Sequence, residues 1–190
     1  GVDTDPNPVS IRPQVTFSPG ATGTSNTVTI SGVTDEVTVT ITPSAGTANI
    51  IKDGLPVGAT TTTAGLNAAL AFTLTAPVVL GTKNTASISI GPDLYTWWVG
   101  YADSAKVAHA FSVTGITSGL LGGVPGADAR CTSEAATSNK GLSGSWKALL
   151  SSSTTDAANR VPWNWGTLKT PGGLVTIVDG GYPDLFDGTL

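Results

Sequence analysis

The sequence has very few of the side chains on which most catalytic and metal centres depend. Its 190 residues include one cysteine, one histidine and no methionine. A structural zinc site needs about four Cys, His or carboxylate ligands, and a nucleophilic triad would have to rely on His109 alone as its base. The composition therefore predicts that the protein is not an enzyme and carries no cofactor.

Charged side chains are also scarce. They make up 12% of the residues, where roughly 25% is usual, and 9 basic against 13 acidic residues leave a net charge of −4. Binding to a phosphate backbone relies on clusters of Lys and Arg, and this chain has none, so we expect no nucleic-acid partner. No stretch approaches the roughly 18 consecutive apolar residues of a membrane helix, which predicts no membrane span.

The residues that are abundant form patterns typical of short strands. Residues 26–31 and 36–42 alternate apolar and hydroxyl side chains with a period of two, as expected for strands with one buried face. Shorter strands are predicted at 14–17, 48–52, 70–75, 85–90 and 94–101, and the threonine run at 60–63 is assigned to a solvated loop. This series of short strands predicts an immunoglobulin-like β-sandwich.

Two of these segments carry a family resemblance. Residues 25–33, SNTVTISGV, and residues 85–91, TASISIG, resemble the opening and closing strands of an Ig-like repeat found in tandem on large bacterial surface proteins. The resemblance covers roughly residues 8–102. It departs from the family at the Trp97-Trp98 pair and in residues 60–70. In that family the repeat is a spacer, so the resemblance implies a surface protein.

A glycine-dense loop at residues 120–126 interrupts the β pattern. A short helix is predicted near 126–138, because Ala127, Cys131 and Ala135 then share one helical face. Together with the blocks at 141–151 and 178–190, this helix resembles a bacterial exported domain related to endostatin and the C-type lectin-like fold.

The expected fold class is therefore mainly β, with two domains. Residues 1–102 form the Ig-like β-sandwich, of which 1–8 are an N-terminal arm, and residues 103–106 form a linker. Residues 107–190 form a partial C-type lectin-like α+β domain with the one short helix, and a strand is expected to restart at 111–114. The resemblance implies further strands and cysteines after residue 190. A truncated domain, strands supplied by another chain and a reduced variant of the fold are the alternatives.

The resemblance also implies a function. We expect an extracellular adhesion or binding module of a bacterial or phage surface protein, whose partner is a glycan or protein on a host or neighbouring cell. The expected contact surface comprises the loops at 118–126 and 152–173. The alternative is a structural subunit of an extracellular filament or pilus-like assembly, in which copies of the chain complete each other by strand exchange.

Aromatic and polar residues flanking the loops are the candidates for ligand binding. They are Trp163, Asn164, Trp165 and Tyr182, whose rings could stack on sugars or anchor an interface, although core packing explains them almost as well. The sugar-binding and calcium-binding motifs of lectins are absent from the sequence. The run Trp163-Asn164-Trp165 resembles one of these motifs only in part. Calcium binding by Asp179, Asp184 and Asp187 is less expected than ordinary turn chemistry.

A second group of residues is expected at an inter-domain or inter-subunit contact. Trp97, Trp98 and Tyr101 lie on one strand, so one of the two tryptophans must point away from the sandwich interior. Cys131 is interpreted first as a buried small side chain, with a disulfide or an intermolecular cross-link as alternatives. His109 is interpreted as a packed or solvated histidine at the domain junction rather than a metal ligand.

Overall fold

Strands make up most of the regular structure, which confirms the mainly β fold class. The computed structural model describes residues 1–113, 121–137, 142, 144–151, 157–171, 173, 175–178, 181–182 and 185. The chain divides into two compact units, Gly1–Ser104 and Ala105–Leu190. This division falls within the segment that the sequence assigns to a linker.

Unit 1 contains two five-stranded sheets. The first sheet has the order β1-β10-β9-β4-β7. Its strands are β1 (Gln14–Thr16), β4 (Val37–Pro43), β7 (Thr61–Ala64), β9 (Lys83–Ile90) and β10 (Asp93–Tyr101). Strand β1 runs parallel to β10, with Gln14 opposite Val99, and the other pairs are antiparallel.

The second sheet is built around its longest strand, β8. Its strands are β2 (Thr22–Thr24), β3 (Val28–Thr29), β5 (Ala48–Lys52), β6 (Leu55–Pro56) and β8 (Ala69–Thr75). Strand β8 pairs antiparallel with β2, β3 and β5, and β5 continues into a short hairpin with β6.

The two sheets share one hydrophobic core, which makes unit 1 a β-sandwich. On β4, Val37, Val39 and Ile41 are buried while the intervening threonines face outward, as the period-two pattern predicts. The largest fully buried side chains of the core come from both sheets and include Trp97, Phe72, Ile30, Ile50 and Ile88.

Most of the strand predictions for unit 1 are confirmed. Residues 14–16, 37–42, 48–52, 70–75, 85–90 and 94–101 lie in strands. The strand predicted at 26–31 is largely wrong, because only Val28 and Thr29 pair with β8. The threonine run is an edge strand rather than a loop, because β-branched Thr61 and Thr63 pair with Thr40 and Thr38 of β4. Strands β2 and β6 were not predicted, because two or three residues are too few for a periodic signal.

The N-terminal arm lies against the sandwich, and because its contacts continue past the predicted residues 1–8 to Arg12, the name is used below for residues 1–12. Pro6 is buried, and Val9 and Ile11 pack on the core. The backbone N–H of Asn7 donates to Ser31 O at 2.8 Å, and the Trp97 indole N–H donates to Arg12 O at 2.7 Å. The arm therefore covers the opening between β3 of the second sheet and β10 of the first.

A glycine permits this close approach of the arm. Gly91 has a φ of +58°, and a Cβ at this position would lie 2.8 Å from the backbone oxygen of Thr4. A side chain here would be strained and would also collide with the arm backbone.

Unit 2 has a small sheet. Its strands are β11 (Val107–His109), β12 (Thr167–Lys169) and β13 (Thr176–Val178), with β11 parallel to β12 and β12 antiparallel to β13. The strand predicted at 111–114 is wrong over its described residues, 111–113. The strand ends at His109, because pairing with the segment Thr167–Lys169, sixty residues further along the chain, determines its position. Phe111 instead packs edge-on against Trp146, with ring centroids 4.9 Å apart.

The predicted helix is present as α1 (Gly123–Thr137), beginning three residues earlier than the pattern suggested. Pro125 suits its first turn, and Gly126 is needed because a Cβ there would overlap the carbonyl oxygen of Leu121. Ala127 and Ala135 are buried and Cys131 is half-buried. A second helix, α2 (Ala157–Arg160), has four residues. No helix in the described ranges is long and apolar enough to cross a membrane.

Candidate functional site

Three charged side chains of unit 2 meet at Asp128, on the second turn of α1. Asp128 Oδ1 accepts hydrogen bonds from the backbone N–H of Ala148 at 2.8 Å and from Arg160 Nη2 at 2.8 Å. Asp128 Oδ2 accepts from Arg160 Nη2 at 2.9 Å and from Lys147 Nζ at 3.1 Å. We call Asp128, Lys147 and Arg160 the Asp128 clamp.

Arg160 extends the clamp to the backbone. Its Nη1 donates to Ala148 O at 2.9 Å and to Leu150 O at 2.8 Å. The Arg160 side chain is 10% exposed and that of Asp128 is 16% exposed, whereas Lys147 is 46% exposed. The clamp therefore joins both helices to residues 147–150 through one largely buried ion pair.

The hydrogen bonds also determine the acidity of the clamp carboxylate. Burial alone would raise the pKa of Asp128. The hydrogen bonds from Ala148 N–H, Arg160 and Lys147 stabilise the charged form more strongly, and they lower its pKa from 3.8 to about 2. Asp128 is therefore ionised throughout the physiological pH range.

This shift predicts a pH dependence of stability. Because the folded-state pKa is depressed, ionised Asp128 stabilises the fold above its ordinary pKa of 3.8, and the stabilisation is lost as the pH falls through about 2. The contribution is on the order of 2 kcal/mol. Urea unfolding between pH 5 and pH 2 measures it. Asp128→Asn should be less stable at pH 5 and lose less stability on acidification, and an identical pH dependence in both proteins would contradict the assignment.

An open apolar hollow lies beside the clamp. Its lining residues come from the start of α1 and from the segment that Arg160 holds, and they are Leu121, Ala127, Arg130, Ala148, Leu149 and Leu150. The hollow has a volume of about 200 Å³, below the roughly 300–1,000 Å³ typical of small-molecule sites. This size suits one apolar side chain or one sugar ring better than a cofactor.

The rim of the hollow is exposed although it is apolar. Leu149 is 54% exposed and Leu150 is 42% exposed. Both leucines follow Ala148, whose N–H and C=O are held by Asp128 and Arg160 respectively. The clamp thus holds two apolar side chains at the surface in a defined backbone geometry.

Of the predicted ligand-binding residues, two are placed in the interior. Trp165 is buried, with its indole N–H donating to Pro162 O at 2.6 Å. Tyr182 is fully buried, and burial raises the pKa of its hydroxyl. These rings offer no face for stacking, which corrects their assignment in favour of core packing. Trp163 and Asn164 are half-buried.

The predicted contact residues of β10 are also divided between faces. Trp97 is fully buried in the sandwich core, which corrects its assignment to a contact surface. Trp98 lies on the opposite face of the strand but is also buried, at 7% exposed, with the Lys83 ammonium 4.9 Å from its ring centroid. Tyr101 is half-buried and ends the strand. Cys131 is a free, half-buried thiol, and burial followed by the charge of Asp128 raises its pKa.

The described residues contain no group of three or more His, Cys, Asp or Glu side chains that could hold a metal ion. His109 is exposed on β11, and its Nδ1 lies 3.3 Å from Thr170 O. The calcium candidates Asp179, Asp184 and Asp187 lie outside the described residues, as do residues 118–120, 152–156 and 172 of the predicted contact loops.

The clamp and the hollow were not predicted from the sequence. Asp128 and Arg160 are 32 positions apart, on two different helices. No helical or strand period links residues at that separation, and an isolated acidic and an isolated basic residue usually lie on a solvated surface. The only available signal was the pair of adjacent leucines in a polar stretch.

Comparison with protein-family models, with curated proteins and with solved structures finds no match for this chain.

Proposed function

We propose that this chain is an extracellular binding module of a surface protein, in which unit 2 makes the contact and unit 1 is the spacer. The apolar hollow carries the proposal, because Leu149 and Leu150 are exposed at its rim while the Asp128 clamp hydrogen-bonds the backbone on either side of them, at Ala148 and at the Leu150 carbonyl. Exposed apolar side chains on a segment whose backbone is already held by hydrogen bonds suit recognition, since the segment loses little conformational entropy on binding.

The chemistry of the hollow indicates the type of partner. Its floor is aliphatic, and Arg130 is the charged side chain in its lining. A protein side chain or the apolar face of a sugar on a neighbouring cell would fit such a surface. With few charges available, recognition depends on shape and on hydrogen bonds at the rim.

The Ig-like and lectin-like assignments belong to the same proposal. In unit 1, two sheets that share a core and a parallel pairing of β1 with β10 support an Ig-like arrangement. In unit 2, the presence of the helix α1 and of a small sheet is compatible with the lectin-like comparison made from the sequence.

Replacing both rim leucines should abolish most of the binding. We expect Leu149→Ser with Leu150→Ser to weaken binding at least tenfold, because burial of each side chain contributes about 1.5–3 kcal/mol. Binding is measured on an array of cell-surface glycans and extracellular proteins. Val175→Ser, at a residue of the same unit that is 56% exposed, is the matched control and should bind normally. Absence of binding by the native protein, or equal binding by all three, would refute the proposal.

One observation bears on the alternative function, a subunit of a filament. The N-terminal arm, one of the segments that strand exchange would use, is bound to its own sandwich through Asn7, Val9 and Arg12. Exchange through this arm would first have to break these contacts. These contacts count against exchange through the arm and to that extent support the binding module.

A further inference from the structure

The outer face of the first sheet of unit 1 carries an array of hydroxyl groups. On β4, β7, β9 and β10, most of the residues on this face are Thr or Ser, and the others are Lys83, Leu94, Trp98 and Gly100. We call these Thr and Ser residues the hydroxyl face: Thr38, Thr40, Thr42, Thr61, Thr63, Thr85, Ser87, Ser89 and Thr96.

Strand register aligns these hydroxyls in rows. Thr61 is opposite Thr40, Thr40 is opposite Ser89, and Ser89 is opposite Leu94. In the neighbouring row, Thr42 is opposite Ser87 and Ser87 is opposite Thr96. Neighbouring strands are about 4.8 Å apart, and successive outward residues on one strand are about 6.8 Å apart. The face thus repeats the same functional group in two directions.

Most of these hydroxyls have no partner within the protein. In the described part of the chain, the hydroxyls of five members make no hydrogen bond, namely Thr38, Thr42, Ser87, Ser89 and Thr96. On the second sheet, by comparison, the Thr73 and Thr75 hydroxyls donate to the backbone oxygens of Asn49 and Thr47, whereas Thr22, Thr24 and Thr29 of its short strands are exposed. Each unpartnered hydroxyl can donate one hydrogen bond to a ligand and accept others.

The lack of charge on the face favours a neutral ligand. None of the nine members is ionisable, and three charged side chains at the margins are already engaged. Glu36 accepts a hydrogen bond from the Thr63 hydroxyl at 2.7 Å, Lys52 Nζ donates to Thr63 O at 2.8 Å, and Lys83 lies over the Trp98 ring. A charged polymer would find no countercharge among the rows. A neutral sugar offers hydroxyls to the array and C–H groups to the threonine methyls and to Leu94, which is 73% exposed.

We propose that the hydroxyl face binds a neutral polysaccharide laid across the strands. Each new hydrogen bond replaces one to water and contributes only about 1 kcal/mol, so a single sugar is held weakly. Repetition along a polymer raises the avidity, which makes the ligand a polymer rather than a monosaccharide. This site goes beyond the proposed binding by unit 2 and uses none of its residues, so unit 1 is a second binding element rather than a passive spacer.

Affinity electrophoresis of the full chain tests the proposal. The net charge of −4 carries the protein through a native gel. Gels that contain hydroxyethyl cellulose, dextran or mannan are compared with a plain gel and with a gel that contains alginate, a charged polysaccharide. We expect retardation in at least one neutral gel and none in alginate. Mobility unchanged in all three neutral gels, or retardation by alginate alone, would overturn the proposal.

Matched triple variants locate the site. Thr38→Val with Thr40→Val and Thr42→Val removes three hydroxyls from the face while retaining β-branched side chains. Thr22→Val with Thr24→Val and Thr29→Val makes the same change at exposed positions of the second sheet. We expect the first triple to weaken retardation about fivefold or more and the second to leave it intact. Equal retardation of both triples would overturn the assignment. The Leu149 and Leu150 variant should be retarded normally, so failure of the unit 2 proposal is separately detectable.

Discussion

Trp97→Ala is expected to lower the unfolding free energy of unit 1 by about 4 kcal/mol, the cost typical of truncating a buried aromatic residue. Trp97 is fully buried in the core that both sheets share. Its indole N–H also holds the arm through Arg12 O, so the substitution leaves a cavity and releases a backbone acceptor. Urea unfolding followed by far-UV circular dichroism measures the loss.

Two variants on the same strand separate the contributions at Trp97. Trp97→Phe retains an aromatic ring but removes the donor to Arg12, so about 1–2 kcal/mol should be lost. Leu94→Ala, at a residue that is 73% exposed, should change stability by no more than about 0.5 kcal/mol. A loss at Leu94 as large as that at Trp97 would contradict the placement of the core.

Arg160→Ala is expected to lower the stability of unit 2 by about 3 kcal/mol, since removing one partner of a largely buried ion pair leaves the other uncompensated. Asp128 would retain only Ala148 N–H and Lys147, and the backbone oxygens of Ala148 and Leu150 would lose their donor. Hydrogen exchange of α1 amides gives a local readout, and protection should fall across Gly123–Thr137.

The clamp itself supplies the control. Lys147→Ala removes the other cation on the same carboxylate, but Lys147 is 46% exposed, so the expected loss is only about 0.5 kcal/mol. Combining Asp128→Asn with Arg160→Ala should cost less than the sum of the two single changes, because both remove the same interaction. Strict additivity, or equal effects of Lys147 and Arg160, would contradict the clamp.

The contacts behind these expected effects differ in how far the sequence alone predicts them. The alternation Val37, Val39, Ile41 against Thr38, Thr40, Thr42 predicts a half-buried strand, because side chains in a strand project to opposite faces in turn. The same rule places Trp97 and Trp98 on opposite faces, but it does not predict that both are buried. Burial of Trp165 and Tyr182 followed no such period, so stacking and core packing were almost equally plausible for them.

The conformation of short segments depends on the strands with which they pair. Val107–His109 is a strand because β12 lies beside it, and the threonine run is a strand because β4 has a free edge there. A segment of three or four residues has too little local preference to determine its own conformation, whereas a neighbouring strand offers it a full set of backbone hydrogen bonds.

The sequence by itself determined the mainly β class, the faces of the long strands, the helix after the glycine-rich loop and the neutral, hydroxyl-rich character of the surface. These properties depend on local periodicity and composition, which a single chain displays directly. Only the tertiary structure decided the Asp128 clamp, the hollow beside Leu149 and Leu150, the docked arm and the alignment of hydroxyls into rows. Each of these joins residues far apart in the chain, and their proximity depends on sheet register and packing rather than on any spacing along the sequence.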